Sequence, residues 1–350
     1  MREQTTMALA AGAITLALFS CTQGPEVPGG DATTGGGGVM TTTASTTSTS
    51  SSGGPGSRCE VISASIAEAG FDSEVTVHCD GKLAYVVGDT YPAHDKMTGI
   101  TGTNEQVPVP APGHESPIPL APTPGTTMFT TDGALGVAVN GVPIYDYTSA
   151  GMNDVTKYDP AADTKKQGQL DKCNGHAGRG DDYHYHAAPT CMIAAMKNKG
   201  PAAILGWALD GYPIYGDENP DGSTIAKGEL DACNSREDST FGRRYHTSEA
   251  PPYIVQCLVG QVDEALLPRV APLDKAGGGG KPPGTPPQGG VTALTFVEDA
   301  ASLRTMSYTY SGQDYHISYK PSATEGCWDF EQKTFTNGGI AETATYCRKP

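Results

Sequence analysis

An internal duplication constrains the fold of this chain more than any other feature of its sequence. Residues 136–145 read GVAVNGVPIY, and residues 206–215 read GWALDGYPIY. The likeness resumes downstream, where LDKCN at 170–174 matches LDACN at 230–234, and in each copy Tyr-His follows the cysteine by twelve residues. Such self-similarity is typical of a structural unit that is built twice. We therefore expect two related halves in the middle of the chain.

The two copies differ in their histidines. Copy one contains the string Tyr-His-Tyr-His at residues 183–186, preceded by His176. Copy two has Arg236 and Arg244 in place of His176 and His184, and it keeps only the last histidine of the string. A histidine cluster in one half alone indicates a single specialised site.

The spacing of these histidines suits a metal ion. Alternate side chains of a β-strand point to opposite faces, so His184 and His186 would share one face, opposite the two tyrosines. His176 can turn back from a glycine-rich loop as a third ligand, and His246 can enter as a fourth if pseudo-twofold packing joins the halves. Neutral imidazole binds Zn(II), Cu(II) and Ni(II) well, and we expect one zinc or copper ion. The alternative is that the tyrosines form the core face, and the histidines face solvent without a metal.

The first residues of the chain resemble an export signal. An apolar run ends in Leu-Phe-Ser-Cys, which resembles a lipoprotein cleavage site with Cys21 as the lipidated residue. The sequence thus predicts a signal peptide at 1–20 and an exported protein held at the outer membrane or cell surface by a lipid on Cys21. An ordinary secretory signal is the alternative. Residues 21–57, rich in Gly, Ser and Thr, are predicted to be a disordered tether.

The remaining eight cysteines predict disulfides. An even number of cysteines in an exported chain is typical of a disulfide framework. No two of them have the close spacing of a zinc knuckle, which disfavours a thiolate zinc site. The matching cysteines of the two copies favour sequential pairing: Cys59–Cys79, Cys173–Cys191, Cys233–Cys257 and Cys327–Cys347.

The charge of the chain argues against some partners. It has 23 basic and 39 acidic residues, a formal net charge of −16. So acidic a protein is repelled by phosphate backbones, which argues against nucleic acid as a partner.

The pattern of apolar residues and turns predicts a mostly β fold. Asn-Gly and Asp-Gly in the duplicated segments favour type I′ hairpin turns, and the stretches with helical character are short, at 63–69 and 192–199. We expect a disulfide-stapled sandwich or barrel-like domain with long irregular loops. The predicted boundaries are a main domain at 58–276 with repeats at about 136–191 and 206–257, a Gly/Pro linker at 277–290 and a small β region at 291–350.

Several of these motifs, in this order, resemble the YHYH-domain family of exported proteins. They are LDKCN, YHYH and GWALDGYPIYG, and the resemblance covers about residues 78–260. It implies export and the domain boundaries, and it implies no particular activity. The chain departs from the family pattern at residues 243–246, where the second repeat reads Arg-Arg-Tyr-His in place of a second Tyr-His-Tyr-His.

Three functions are compatible with the sequence. The first is an envelope-tethered module that binds one transition-metal ion through His176, His184 and His186. The second is a metal-dependent enzyme of unknown substrate, in which three histidines leave a position open for water and Asp181, Asp182 or Tyr185 supports the chemistry. The third is a metal-free structural or adhesive envelope protein.

Overall fold

The computed structural model of the protein describes residues 55–149, 151, 154–276 and 286–348. The predicted signal peptide, Cys21 and nearly all of the predicted tether lie outside these residues. Helix α1 (Pro55–Ala69) begins within the last residues assigned to the tether and is longer than the stretch predicted from the sequence. In the part of the chain that is described, no helix is long and apolar enough to cross a membrane.

The mostly β prediction is confirmed, beginning with the segment that precedes the duplication. Three antiparallel strands form a small sheet, and a fourth pairs with a later strand. They are β1 (Thr76–Cys79), β2 (Leu83–Gly88), β3 (His114–Pro119) and β4 (Pro124–Phe129).

The duplicated segments build one eight-stranded sheet. Repeat one supplies β5 (Gly136–Ala138), β6 (Pro143–Ile144), β7 (Gly175–Ala177) and β8 (Tyr183–Tyr185), followed by the short helix α2 (Thr190–Ala195). Repeat two supplies β9 (Gly206–Ala208), β10 (Pro213–Tyr215), β11 (Ser235–Asp238) and β12 (Gly242–His246). The strand order is β7-β8-β6-β5-β9-β10-β12-β11, so the second half repeats the first in reverse.

The two halves meet through their first strands. β5 and β9 pair antiparallel, with Val137 opposite Trp207, and these two residues hold equivalent positions in the two copies. The sheet therefore has a pseudo-twofold axis at its centre. β8 and β12 lie five strand positions apart, which is about 24 Å at the usual spacing of about 4.8 Å.

The turns within the repeats differ from the type I′ prediction. Gly141 and Gly211 have positive φ angles, but Asn140 and Asp210 do not, whereas a type I′ turn needs both. The side chains of Asn140 and Asp210 are engaged elsewhere: the Asn140 amide donates to the Tyr185 hydroxyl at 3.0 Å, and the Asp210 carboxylate accepts from the backbone of Gly260 at 2.8 Å. These tertiary hydrogen bonds therefore favour a turn in which only the glycine has a positive φ angle.

The C-terminal part of the chain forms a six-stranded antiparallel sheet. After β13 (Leu258–Gly260), which pairs with β4, the order is β14-β19-β18-β17-β16-β15. Its strands are β14 (Asp274–Lys275), β15 (Thr292–Glu298), β16 (Arg304–Tyr310), β17 (Gln313–Pro321), β18 (Cys327–Lys333) and β19 (Glu342–Cys347). β14 precedes the predicted linker, so this sheet takes strands from both sides of it. All the sheets of the described residues are open, so the barrel-like alternative is not what forms.

Four disulfides hold these segments together. They join Cys59 to Cys79, Cys173 to Cys191, Cys233 to Cys257 and Cys327 to Cys347, which is the sequential pairing expected from the duplication. Each closes a short loop, which in the chain-entropy account stabilises the fold by about 3 kcal/mol. The Cys173–Cys191 bond fixes the segment just before β7 to helix α2.

Candidate metal centre

The β7–β8 hairpin brings three histidines together on one face. His176 lies directly opposite His184 in the antiparallel register, and His186 follows two residues later on the same side. The three ring centroids form a nearly equilateral triangle with sides of 4.9, 4.8 and 4.8 Å. The residues are 8%, 4% and 2% exposed, so the alternative in which they face solvent is wrong.

Each ring is held by a contact outside the triangle. His186 Nδ1 donates to the carbonyl oxygen of Asp146, which leaves Nε2 unprotonated, with its lone pair directed into the triangle. His184 Nδ1 lies 3.4 Å from Asp182 Oδ2, and the His176 ring hydrogen-bonds the backbone of Gln169. Such outer contacts on metal-binding histidines fix the tautomer and the ring orientation.

The remaining nitrogen atoms are close enough to bind one ion. His186 Nε2 and His176 Nε2 are 3.0 Å apart, and one nitrogen from each ring lies within 4.8 Å of the others. Zn–N bonds of about 2.0–2.1 Å in a tetrahedral site place neighbouring nitrogens about 3.3 Å apart. His184 Nδ1 and Asp182 Oδ2 are buried and make no hydrogen bond among the described residues. A cation bound at His184 Nε2 would draw this facing pair together.

The electrostatics keep the imidazoles in the form that binds metals. Burial lowers the pKa of His176 well below its usual value, and the neighbouring His186 and His184 act in the same direction. Burial also lowers the pKa of His186, to about 3. Burial alone would raise the pKa of Asp182, but the close approach of His184 and its attraction for the carboxylate outweigh this, and the pKa is lowered. At neutral pH the cluster is therefore uncharged at His176 and His186, with an anionic carboxylate behind His184.

Two neighbours confine the His184 ring. Tyr145 stacks on it with ring centroids 4.0 Å apart and planes 17° from parallel. Gly178, directly after β7, leaves room for it, because a Cβ atom there would lie 2.6 Å from His184 Cε1. The His184 ring cannot rotate away from such a Cβ atom, because it is buried and stacked on Tyr145.

Replacing Gly178 with alanine is expected to displace His184 and to weaken metal binding. A shift of one ligand in a preformed site should raise the dissociation constant by about 10–100-fold, as other disturbances of ligand orientation do. Competition with a chelator measures this. Gly216→Ala is the matched control, because a Cβ there meets no atom within 4 Å. Equal affinities in the two variants would contradict the steric role of Gly178.

Repeat two holds a guanidinium group at the equivalent place. Arg236 lies opposite Arg244, as His176 lies opposite His184. His246 Nδ1 donates to the Gly216 carbonyl at 2.8 Å, the counterpart of the His186–Asp146 bond, while Arg244 Nε donates to His246 Nε2 at 3.0 Å.

His246 is therefore not a fourth ligand. Its Nε2 is occupied by Arg244, and β12 lies five strand positions from β8. The two halves are related by a pseudo-twofold axis, which was the condition for His246 to enter the site. They meet through β5 and β9, however, and this leaves the histidine-bearing strands β8 and β12 far apart.

Of the residues suggested for a supporting role, only Asp182 has its side chain against the cluster. Tyr185 points to the opposite face of β8, where its hydroxyl donates to His94 Nε2 at 2.7 Å. Tyr183 likewise donates to Asp171 at 2.8 Å. His94 also lies close to Cys173 and Cys191, but these cysteines form a disulfide and offer no thiolate to a metal.

Sequence reasoning missed three residues that shape the site: Tyr145, Asp146 and Gly178. Asp146 acts through its backbone carbonyl, which leaves no trace in the sequence. Gly178 could have been found from the sequence, because the second copy has Asp238 at this position. The glycine and His184 are thus both absent from repeat two.

Residues 115–224 match the family model described as YHYH protein. The match includes all three clustered histidines and ends before His246. The chain therefore carries a YHYH domain. No curated protein and no solved structure matches the chain.

Proposed function

We propose that this YHYH-domain protein binds one transition-metal ion, zinc or copper, through His176, His184 and His186. The observation that carries the proposal is the convergence of three buried, outwardly anchored imidazoles on a common centre. An imidazole-only set suits Zn(II) and Cu(II). We further propose that the protein is exported and attached through a lipid on Cys21 to the outer membrane or cell surface, where oxidising conditions suit its four disulfides.

The matched pair His186→Ala and His246→Ala tests the metal site. These residues hold equivalent positions and make equivalent Nδ1 bonds, but only His186 belongs to the triangle. We expect about one equivalent of metal per chain in the wild type and in His246→Ala, as for a three-histidine zinc site, and almost none in His186→Ala. Mass spectrometry of the purified protein, offered Zn(II) or Cu(II), measures it.

Two results would overturn the proposal. A wild-type protein that takes up neither ion would favour the metal-free structural or adhesive function. Equal metal loss in both variants would show that the effect comes from a damaged fold. Circular dichroism of each variant separates folding from binding.

The second candidate is a metal-dependent enzyme. The observation that favours it is the ligand count, because no fourth His, Cys, Asp or Glu of the described residues joins the three histidines. Three protein ligands with a water in the fourth position are the pattern of catalytic zinc. Azide added to the Co(II)-loaded protein discriminates the two functions, since a spectral change requires an exchangeable position on the ion.

A further inference from the structure

Arg348, just after β19, makes an unusually complete set of hydrogen bonds. Its guanidinium group donates to five backbone carbonyl oxygens and so uses all five of its N–H donors. The acceptors belong to three separate segments and are Val109, Pro110, Gly180, Asp181 and Ala271. One side chain therefore ties the end of the C-terminal sheet to the segment that contains Val109 and Pro110, and to the turn between β7 and β8.

That turn has a demanding backbone conformation. The Asp181 amide donates to the Gly178 carbonyl at 3.0 Å, and Asp181 has a φ angle of +54°. A residue with a side chain adopts this left-handed conformation at a cost, so its surroundings must hold it in place. The Asp181 carbonyl accepts from Arg348 at 2.9 Å and from the Val109 amide at 2.7 Å.

The β7–β8 turn fixes the carboxylate of Asp182, which faces His184 in the proposed metal site. Asp182 follows directly, and its Oδ1 lies only 2.4 Å from where a Cβ atom on Gly180 would be, so the carboxylate packs against the turn backbone. The other oxygen, Oδ2, lies 3.4 Å from His184 Nδ1. A shift of the turn must therefore shift Asp182 relative to His184.

We propose that Arg348 is a positioning residue for the metal site. It holds the β7–β8 turn, and through the turn it sets the distance between Asp182 and His184. The inference rests on the proposed function, because it concerns the affinity of that same site. It also gives the C-terminal sheet a role in metal binding, although none of its residues belongs to the triangle.

The test compares Arg348→Met with Arg304→Met in the full chain. Arg304 lies in the same sheet and is also largely buried, but its partners are Tyr91 and Glu298. We expect Arg348→Met to raise the Zn(II) dissociation constant about tenfold, the lower end of the effect of outer-shell changes, with Arg304→Met unchanged. Arg348→Lys, which keeps the charge but not the planar fork, should fall between wild type and Arg348→Met. It also serves if the methionine variant does not fold.

The outcomes separate the two ideas. A wild type that binds neither Zn(II) nor Cu(II) overturns the proposed function, and this inference with it. A wild type that binds, with Arg348→Met of equal affinity, overturns only the role of Arg348. Affinities that fall in both methionine variants in proportion to their melting temperatures would also overturn it, because they would reflect general destabilisation.

Discussion

Replacing Arg244 with methionine is expected to lower the free energy of unfolding by about 3 kcal/mol, the lower end of the range for breaking a buried ion pair. Arg244 is completely buried, and its guanidinium group donates to Asp238 at 2.7 Å, Asn219 at 2.8 Å and His246 at 3.0 Å. Methionine fills similar space but donates no hydrogen bond, so His246 Nε2 loses the donor that Arg244 supplies, and Asp238 and Asn219 each lose one of theirs. The lower end applies because a quarter of the Asp238 side chain, 27%, remains exposed.

Urea denaturation measures this loss, and Arg243→Met is its control. Arg243 is the next residue in β12, but its ion pair is with Glu237, whose side chain is 54% exposed. Surface pairs of this kind contribute at most about 1 kcal/mol. Metal content should stay the same in both variants, because neither residue belongs to the triangle. A similar cost for the two arginines would show that the buried hydrogen bonds of Arg244 contribute no more to stability than an exposed ion pair does.

The sequence allowed much of this arrangement to be predicted, because the duplication carries strong local information. It led to the paired cysteines and the extended Tyr-His-Tyr-His string. It also placed His184 and His186 on one face, since the two-residue period of a strand needs no tertiary knowledge. The third histidine of the cluster, His176, followed from its position just upstream, and the hairpin register then brought it opposite His184.

The arrangement of the two halves could not be predicted in this way. Similar segments reveal that two units exist, but they do not say which strand edges will join, and the pairing of β5 with β9 decided where His246 lies. The contacts of Asp146 and Arg348 escaped for a related reason. In both contacts a backbone carbonyl accepts the hydrogen bond, and its donor comes from a residue far away in the chain. The identity of a side chain says nothing about where its residue's carbonyl group points.

A second metal site should be obtained by the triple change Arg236→His, Asp238→Gly and Arg244→His. The two histidines would restore the triangle with His246, whose Nδ1 already donates to the Gly216 carbonyl. The glycine is needed because position 238 corresponds to Gly178, where a Cβ atom would collide with the ring of His184. Metal content should rise from about one to about two equivalents per chain, in keeping with one ion for each three-histidine set.

The double change Arg236→His and Arg244→His, which keeps Asp238, is the matched control and should stay near one equivalent. The new site should also be the weaker one, by about 10–100-fold, because Gly242 stands where Asp182 supports His184 in repeat one. Titration with Zn(II) against a chelator would resolve two binding steps. If the double variant already binds two ions, steric exclusion by a side chain at position 238 is wrong. If the triple variant binds only one, equivalent anchoring of the rings is insufficient, and the carboxylate behind His184 is required for binding rather than only for affinity.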